Sequence, residues 1–210
     1  MDGSPALIPA LRERRARRAF AARAVPPEGE AILWEAFAVA PSHGNAQPAR
    51  LLVARAPAVR EALVAALSAG NRQWAPAAPL LVALGALPSH DTVQTGSDGA
   101  TREYWAFHAG IAAGNVMAQA TALGLIAHPM AGFDEAAVRA TFGAPPELRV
   151  LAVLAIGYPG EPDALPADLR ERETTTQQRL PLNVLVADDA WDEENGTSAK
   201  ALRGAAPAKR

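Results

Sequence analysis

The sequence predicts an α+β fold in which helices pack on a small sheet in three layers. Apolar runs typical of strands occur singly and alternate with helical segments, as at LLVALGAL (80–87) and LRVLAVLAI (148–156). There is too little strand for a barrel and too much for a helical bundle. Layers of helix and sheet around one core are therefore expected.

The composition is that of one globular domain. The chain has 210 residues, of which 50% are hydrophobic and 20% charged, enough for one substantial core. A formal net charge of -2 and a pI near 6.1 favour neither nucleic acid nor an anionic membrane as a partner. Because the chain has no cysteine and residues 1–20 lack the apolar core of a signal peptide, we expect a cytoplasmic protein.

The predicted elements alternate between helix and strand up to about residue 186. Hydrophobic spacing, early-turn prolines and terminal glycines set their limits. Helices are predicted at 6–14, 27–40, 57–68, 104–124 and 134–142, and strands at 51–54, 80–87, 125–130, 148–156 and 182–186. Asp134 is expected to cap the helix that it begins. Loops are expected at 41–49, at 88–101 and up to 178, with fraying beyond about residue 195.

The helix predicted at 104–124 has no charged residue, and only four polar residues interrupt its apolar surface: His108, Asn115, Gln119 and Thr121. Most of its faces are therefore expected to be buried. A membrane span needs about 20 apolar residues, but the polar side chains and the lack of flanking basic anchors argue against one. Small residues at 106, 109, 110, 113 and 114 permit close approach of another helix. We expect this buried central helix to form a homodimer core.

Five arginines lie between positions 12 and 18, followed by Phe20. Two interpretations are open. Basic residues are common at the carbonyl end of a helix, where they are solvated. Guanidinium groups also bind phosphate oxygens in pairs, and several within one turn can surround a phosphate monoester.

The segment PSHGNAQPA at 41–49 is a loop by its proline, glycine and asparagine content. Such a loop can be a simple connector. Its amide and hydroxyl side chains, held between two prolines, can also bind a planar heterocycle through hydrogen bonds of fixed geometry. The residues alone leave both interpretations open.

Motifs for several other chemistries are missing from the sequence. No G-x-G-x-x-G follows a strand and no P-loop occurs, so any phosphate must be held by side chains. The four histidines lack the spacing of a metalloprotease site, and no G-x-S-x-G elbow accompanies Ser42 and His43. We therefore predict no metal site and no acyl-transfer chemistry.

Taken together, six segments resemble the FMN-dependent nitroreductase family, in the family's order and over nearly the whole chain to about residue 186. They are RRARRAF at 14–20, PSHGNAQPA at 41–49, GIAAGNVMAQATALGL at 110–125, PMAGFD at 129–134, IGYPGE at 156–161 and QQRLPLNVL at 177–185. The resemblance implies a three-layer α/β/α sandwich that forms an intertwined homodimer, with FMN in clefts at the subunit interface. It implies an FMN-binding domain at 1–186 and a polar tail at 187–210.

The resemblance assigns cofactor-binding roles to two groups of basic residues. Arg14 and Arg18, with Arg15 between them, match a motif that contacts the FMN phosphate, the ribityl chain or the pyrimidine edge of the ring. Arg179 matches a phosphate ligand close to the C-terminus. Four positions depart from the family pattern, so phosphate binding would rest more on the arginines. These positions are Ala16, Ala49, Ala131 and Gln177.

Two further segments match parts of the family that touch the ring. Ser42, His43 and Asn45 match a loop that reaches the flavin from the other subunit, with Gln47 supporting it. A second segment matches the backbone that lies against the isoalloxazine near its reactive N5. Its residues are Pro129, Met130, Ala131 and Gly132.

Residues that could contact the electron acceptor fall in two places. Asn71 and Trp74 lie where the family often contacts the ring or the substrate. Tyr104, Phe107 and the 88–101 loop could shape the acceptor pocket, although core packing explains the aromatic residues equally well.

The resemblance implies an FMN-dependent NAD(P)H oxidoreductase that transfers hydride by a ping-pong mechanism through flavin N5 to a nitroaromatic, quinone or similar acceptor. Since the cofactor carries out the reaction, no catalytic side chain is needed. Arg18 is expected to stabilise negative charge on the reduced flavin. Two alternatives are an NAD(P)H oxidase that reduces oxygen to peroxide and a flavin-binding protein with little turnover.

Overall fold

The structure, a computed structural model, describes residues 6–175 and 178–191. They form two compact units that divide between Glu173 and Thr174. The predicted domain boundary at residue 186 stays a prediction. The fraying expected beyond residue 195 and the family departure at Gln177 lie outside the described residues.

The strands of the described chain are β1 (Ala49–Val53), β2 (Leu80–Ala86), β3 (Gln94–Thr95), β4 (Thr101–Arg102), β5 (Ile126–Met130) and β6 (Arg149–Gly157). Four of them form an antiparallel sheet in the order β1-β2-β6-β5. The short strands β3 and β4 pair as a hairpin within the predicted loop that precedes the central helix. β1 and β5 are therefore the two edges of the main sheet.

The helices of the described chain are α1 (Pro9–Glu13), α2 (Pro27–Ala38), α3 (Pro57–Ala66), α4 (Ala69–Arg72), α5 (Trp105–Ala122), α6 (Glu135–Phe142), α7 (Ala167–Thr174) and α8 (Leu182–Leu185). In β2, alternate side chains serve opposite faces of the sheet, as the period of a strand requires. Leu81 joins a core cluster with Leu63 of α3 and Val138 of α6. Val82 joins another with Leu33 of α2 and Val116 of α5. This confirms the predicted three-layer α/β/α sandwich.

Helix α5 packs against the sheet, α2 and α1 and leaves open the side that carries Phe107 and Gly110. The buried residues are His108, Ala109, Ala112, Ala113, Val116 and Ala120. On the open side Phe107 is 62% exposed, and a Cβ added at Gly110 or Gly114 would meet no atom within 4 Å. Complete burial of the helix therefore needs a second chain, and the homodimer stays a prediction.

Among the helices that the structure describes, none is long and apolar enough to cross a membrane.

The prediction of the helix cap was confirmed, and two predictions near the C-terminus were wrong. The Asp134 side chain accepts a hydrogen bond from the Ala137 amide at 3.0 Å, as an N-cap should. The predicted loop up to 178 contains α7, which has a single buried residue, Leu169, and so lacks the apolar stripe that marks most helices. The strand predicted at 182–186 is the short helix α8, which begins after Pro181.

Candidate functional site

Main-chain contacts hold the arginine-rich segment at the β5 edge of the sheet. Phe20 forms a β-bridge with Pro159, just beyond β6. The Gly160 amide donates to the Ala19 carbonyl at 2.9 Å, and the Ala21 amide donates to the Tyr158 carbonyl at 3.0 Å. A Cβ at Gly160 would lie 2.5 Å from the Phe20 carbonyl carbon, so a residue without a side chain is required there. The IGYPGE motif thus fixes the segment that carries the arginines.

Glu173 holds the same segment from the side and was missed by the sequence analysis. Its carboxylate accepts hydrogen bonds from the amides of Arg18 and Ala19 at 2.8 and 3.1 Å. It also lies 3.8 Å from the Arg18 guanidinium, and its side chain is 2% exposed. The buried carboxylate thus provides acceptors for the amides of Arg18 and Ala19, which have no partner in the sheet, and it also faces the Arg18 guanidinium.

Arg18 is half-buried and lies over the indole of Trp74, 5.9 Å from the ring centroid. The pKa of Arg18 is lowered overall. Burial and the nearby charge of Arg172 lower it by more than the charge of Glu173 raises it. Arg15 instead donates to the carbonyls of Arg12 and Arg14. Within the described residues, the guanidinium groups of Arg14 and Arg17 have no hydrogen-bond or ion-pair partner. Among the residues that the structure describes, nothing competes with an anion for these two guanidinium groups.

His128 of β5 forms part of the same cluster and was also missed as a site residue. Its ring lies 4.5 Å from that of Trp74, and its Nδ1 lies 3.1 Å from the Arg17 carbonyl, to which it donates. Burial lowers the pKa of His128 to about 4. The charge of Arg18 contributes to this lowering of the pKa, and the hydrogen bond to the Arg17 carbonyl offsets it only in part. The imidazole is therefore neutral near pH 7.

The segment 129–132 packs against helix α4, which contains Asn71. The Gly132 carbonyl accepts hydrogen bonds from the Ser68 amide at 2.9 Å and from the Asn71 side chain at 3.0 Å. A Cβ at Gly132 would lie 2.6 Å from Ser68 Oγ. The Met130 side chain is buried in the core, while Pro129 and Ala131 are exposed. The structure thus brings this predicted segment together with Asn71, Trp74 and Arg18.

The 42–47 loop forms a second cluster. Ser42 Oγ accepts a hydrogen bond from the Gln47 amide at 2.9 Å. The His43 amide donates to Nε2 of His108 at 3.1 Å, and the His43 ring centroid lies 6.2 Å from that of Tyr104. Gly44, Asn45 and Gln47 all have positive φ, so the loop is a compact turn. Its role in binding stays a prediction.

The two clusters lie at opposite edges of the sheet. The loop leads directly into β1, whereas the segment 129–132 leaves β5. Two strands separate these edges, a distance of about 14 Å at the usual strand spacing. One chain therefore does not bring the loop residues and the arginine cluster together.

Arg179 belongs to the second unit, where its Nη1 donates to the Gln178 carbonyl at 3.1 Å. Its predicted role as a phosphate ligand stays a prediction.

A separate cavity of about 470 Å³ contains none of the predicted site residues. Two arginines in its wall are already engaged. Arg60 donates to the carbonyls of Pro76 and Ala78, and Arg55 pairs with Glu30. The guanidinium groups of Arg55 and Arg60 thus already have partners within the chain. The residues that line this cavity give no reason to place the flavin site there.

The fold and these clusters define a class: α/β/α sandwich proteins with a cationic cluster at one edge of the sheet and a polar loop at the other. A model of the nitroreductase family matches residues 11–73 and 62–158. The chain belongs to the nitroreductase family, whose related members include oxidoreductases with NADH dehydrogenase and nitroreductase names.

Two relatives and one solved structure illustrate this membership. A Mycolicibacterium smegmatis protein of 15.4 kDa, whose name gives no function, is 38% identical over 96 residues; the match spans 46% of this chain and 65% of that protein. A Streptomyces coelicolor protein named provisionally as an NADH dehydrogenase/NAD(P)H nitroreductase is 32% identical over 165 residues, 71% of this chain and 82% of its own. A crystal structure described as an oxidoreductase containing FMN superposes with a TM-score of 0.78 at 28% identity, covering 91% of this chain and 96% of that one.

Proposed function

We propose that the chain is an FMN-dependent NAD(P)H oxidoreductase that reduces a nitroaromatic, quinone or similar conjugated acceptor. The observation that supports this most is the arginine-rich segment beside β5, where Arg18 lies over Trp74 and the Arg17 carbonyl contacts His128, the residue before the segment 129–132. The relatives' printed names and the FMN-containing structure make a flavin the fitting occupant.

The free arginines fit the phosphate of FMN. Arg14 and Arg17 carry uncommitted guanidinium groups in the described chain, and such groups bind phosphate oxygens in pairs. The backbone that carries them is fixed by the Gly160 and Glu173 contacts. A site that is already ordered loses less conformational entropy when it binds its ligand.

The rest of the cluster fits a flat, neutral ring system. Trp74 is 3% exposed, and its indole packs beneath the Arg18 guanidinium. Contact between Trp74 and the acceptor stays a prediction. His128 is neutral near pH 7 because burial keeps its pKa at about 4. The cationic charge next to the ring would therefore come from Arg18, which we expect to stabilise negative charge on a reduced flavin.

Bound FMN would supply the redox chemistry, taking a hydride from NAD(P)H and passing it to the acceptor in a second half-reaction. The chain's own residues would bind the phosphate, position the ring and exclude water. Tyr104 and Phe107 of the second cluster would line the acceptor side, where Phe107 is exposed and Tyr104 is half-buried.

We propose further that each site draws on two copies of the chain. The loop and the arginine cluster lie at opposite sheet edges of one copy, so a flavin that touches both needs the loop of a second copy. The open side of α5 gives that copy a place to pack. It carries exposed Phe107 and leaves space at Gly110 and Gly114, which permits close helix contact.

Mixing two inactive variants tests the function and the two-copy site together. Arg14→Ala/Arg17→Ala should raise the FMN dissociation constant about a hundredfold or more, since two charged hydrogen-bond donors are lost. Asn45→Gly removes the loop amide while permitting the positive φ. We expect neither homodimer to bind FMN well, but a refolded mixture should bind up to one FMN per mixed dimer, because one of its two sites has both halves intact.

Flavin fluorescence and absorbance measure this binding, with Arg102→Ala as a control for loss of an exposed charge. A colourless wild-type protein that ignores added FMN would overturn the proposed function. A mixture that binds no more FMN than its parents would overturn the two-copy site. Reduction of bound FMN by NADH and NADPH without oxygen, followed by oxidation by a panel of acceptors, separates an acceptor reductase from an oxidase and from a binding protein.

A further inference from the structure

A buried carboxylate lies between the 88–102 segment and the start of α5. Asp91 follows the turn at Pro88–His90, and its side chain is 1% exposed. Its Oδ2 accepts hydrogen bonds from the amides of Tyr104 and Trp105. Asp91, which precedes these residues by 13 and 14 positions, therefore satisfies two amides at the start of α5, where a carboxylate is favourable.

The other oxygen of this carboxylate faces a buried histidine. Asp91 Oδ1 lies 3.4 Å from Nδ1 of His108, whose side chain is 4% exposed. Within the described chain neither atom has a hydrogen-bond partner, so the two face each other as a close charge contact and not as a formed hydrogen bond. On its other side, His108 Nε2 accepts the His43 amide at 3.1 Å. A neutral imidazole that accepts at Nε2 carries its proton on Nδ1, the ring nitrogen that lies 3.4 Å from the carboxylate oxygen.

The loop that His108 holds contains backbone that needs support. Asn45 and Gln47 have φ of 55° and 47°, a region that costs side-chain-bearing residues free energy unless their surroundings hold them there. The 88–92 segment supplies further contacts. Arg50 lies 3.3 Å from His90 Nδ1 and donates to the Gln47 carbonyl at 2.7 Å.

We propose that Asp91 and His108 are positioning residues that hold the 42–47 loop in its flavin-binding shape. Asp91 selects the tautomer of His108, and that tautomer presents an acceptor to the His43 amide. The inference rests on the proposed function for its link to flavin, whereas the effect on the loop is independent of any ligand. Neither residue touches the flavin in this scheme, so both act through the loop.

Two substitutions at position 108 separate this role from simple packing. His108→Gln places an amide oxygen near the position of Nε2, so it can still accept the His43 amide. His108→Asn places its amide near Nδ1 and leaves the His43 amide without an acceptor. Both remove the ring and both are polar, so a packing role predicts similar damage from the two.

Amide hydrogen exchange at His43 is the ligand-free measurement. We expect protection in the wild type and in His108→Gln, and exchange about tenfold faster in His108→Asn, as loss of one hydrogen bond implies. With FMN present, the dissociation constant should rise about tenfold in His108→Asn and much less in His108→Gln. Equal exchange at His43 in both variants would overturn the inference.

Asp91→Asn provides a test that does not remove the histidine. The new amide can keep one oxygen for the helix amides, but its NH₂ group then faces His108 Nδ1. This should move the imidazole proton to Nε2, where it opposes the His43 amide, since the partner at one ring nitrogen sets the tautomer. Nitrogen NMR shifts of His108 report the tautomer directly, and an unchanged Nδ1–H form would contradict the inference even where stability falls.

The outcomes for loop and flavin are distinguishable. A wild-type protein that does not bind FMN defeats the proposed function, while exchange at His43 and the tautomer of His108 still decide the positioning role. A wild-type protein that binds FMN, with His108→Asn binding it equally well, defeats the link between the pair and the flavin.

Discussion

The two edges of the sheet hold their candidate site residues by different means. At the β5 edge, the arginine segment is held mainly by backbone pairing with residues 158–160 and by the buried carboxylate of Glu173. At the β1 edge, the 42–47 loop has three residues with positive φ and depends on Ser42 and on the Asp91–His108 pair. The arginine segment is thus joined to the core by main-chain pairing, whereas the loop has only local main-chain hydrogen bonds and relies on side chains for its longer-range contacts.

This difference predicts that damage at the β5 edge lowers global stability, while damage at the β1 edge mainly alters binding. Main-chain pairing joins the segment to the strands that unfold cooperatively, but a loop can lose a hydrogen bond while the sheet stays folded.

The largest effect should come from Gly160→Ala. The new Cβ would lie 2.5 Å from the Phe20 carbonyl carbon, so the paired segment must move, at a cost of about 3 kcal/mol. Urea unfolding should show the loss, and FMN binding should weaken because the arginines shift. Gly70→Ala is the matched control, since a Cβ there meets no atom within 4 Å. Equal stability of the two variants would contradict the role of the Gly160 contact.

An intermediate effect should appear on acidification through His128. Its pKa in the folded protein is lowered to about 4 from 6.5, so the unfolded chain binds a proton first as the pH falls. The folded state should therefore lose about 2–3 kcal/mol between pH 6.5 and 4 and keep its full stability above pH 6.5.

Urea midpoints across this pH range measure the effect of His128. His128→Asn can still donate to the Arg17 carbonyl but does not titrate, so its pH dependence should be smaller by this amount. His90→Asn, at an exposed histidine, should follow the wild type. A parallel pH dependence in His128→Asn and the wild type would show that His128 is not the group responsible.

The smallest effect on stability should come from Ser42→Ala at the β1 edge. The Gln47 amide loses its acceptor at Ser42 Oγ, but water can replace it at this exposed turn, so the cost is about 1 kcal/mol or less. FMN binding should nevertheless weaken by about fivefold, and Ser42→Thr, which keeps the hydroxyl, should restore much of it. Should Ser42→Ala lower stability as much as Gly160→Ala, the contrast between the two edges would fail.

The sandwich could be predicted because its signals are local. The uncharged helix α5, the Asp134 cap and the apolar runs of β2 and β6 each show in a short window of sequence. Helix α7 was not predicted because a single buried leucine does not form an apolar stripe. Helix α8 was predicted as a strand because a short apolar run is compatible with either state.

The site could be predicted in part. The resemblance pointed to the arginine segment, the 42–47 loop and the 129–132 segment. Glu173 and the Asp91–His108 pair were missed because their roles come from contacts between positions 155 and 65 residues apart, as between Glu173 and Arg18 and between His108 and His43. A carboxylate in a charged helix and a histidine in an apolar one carry no local sign of such partners.

The separation of the two edges by the width of the sheet has a consequence for handling the protein. Under the proposed two-copy site, loss of cofactor and dissociation of subunits are linked equilibria, since only the associated form offers a complete pocket. Dilution should then lower the fraction of protein that holds FMN, and excess FMN should raise the fraction of subunits that are associated. Apparent cofactor affinity will depend on how concentrated the protein is.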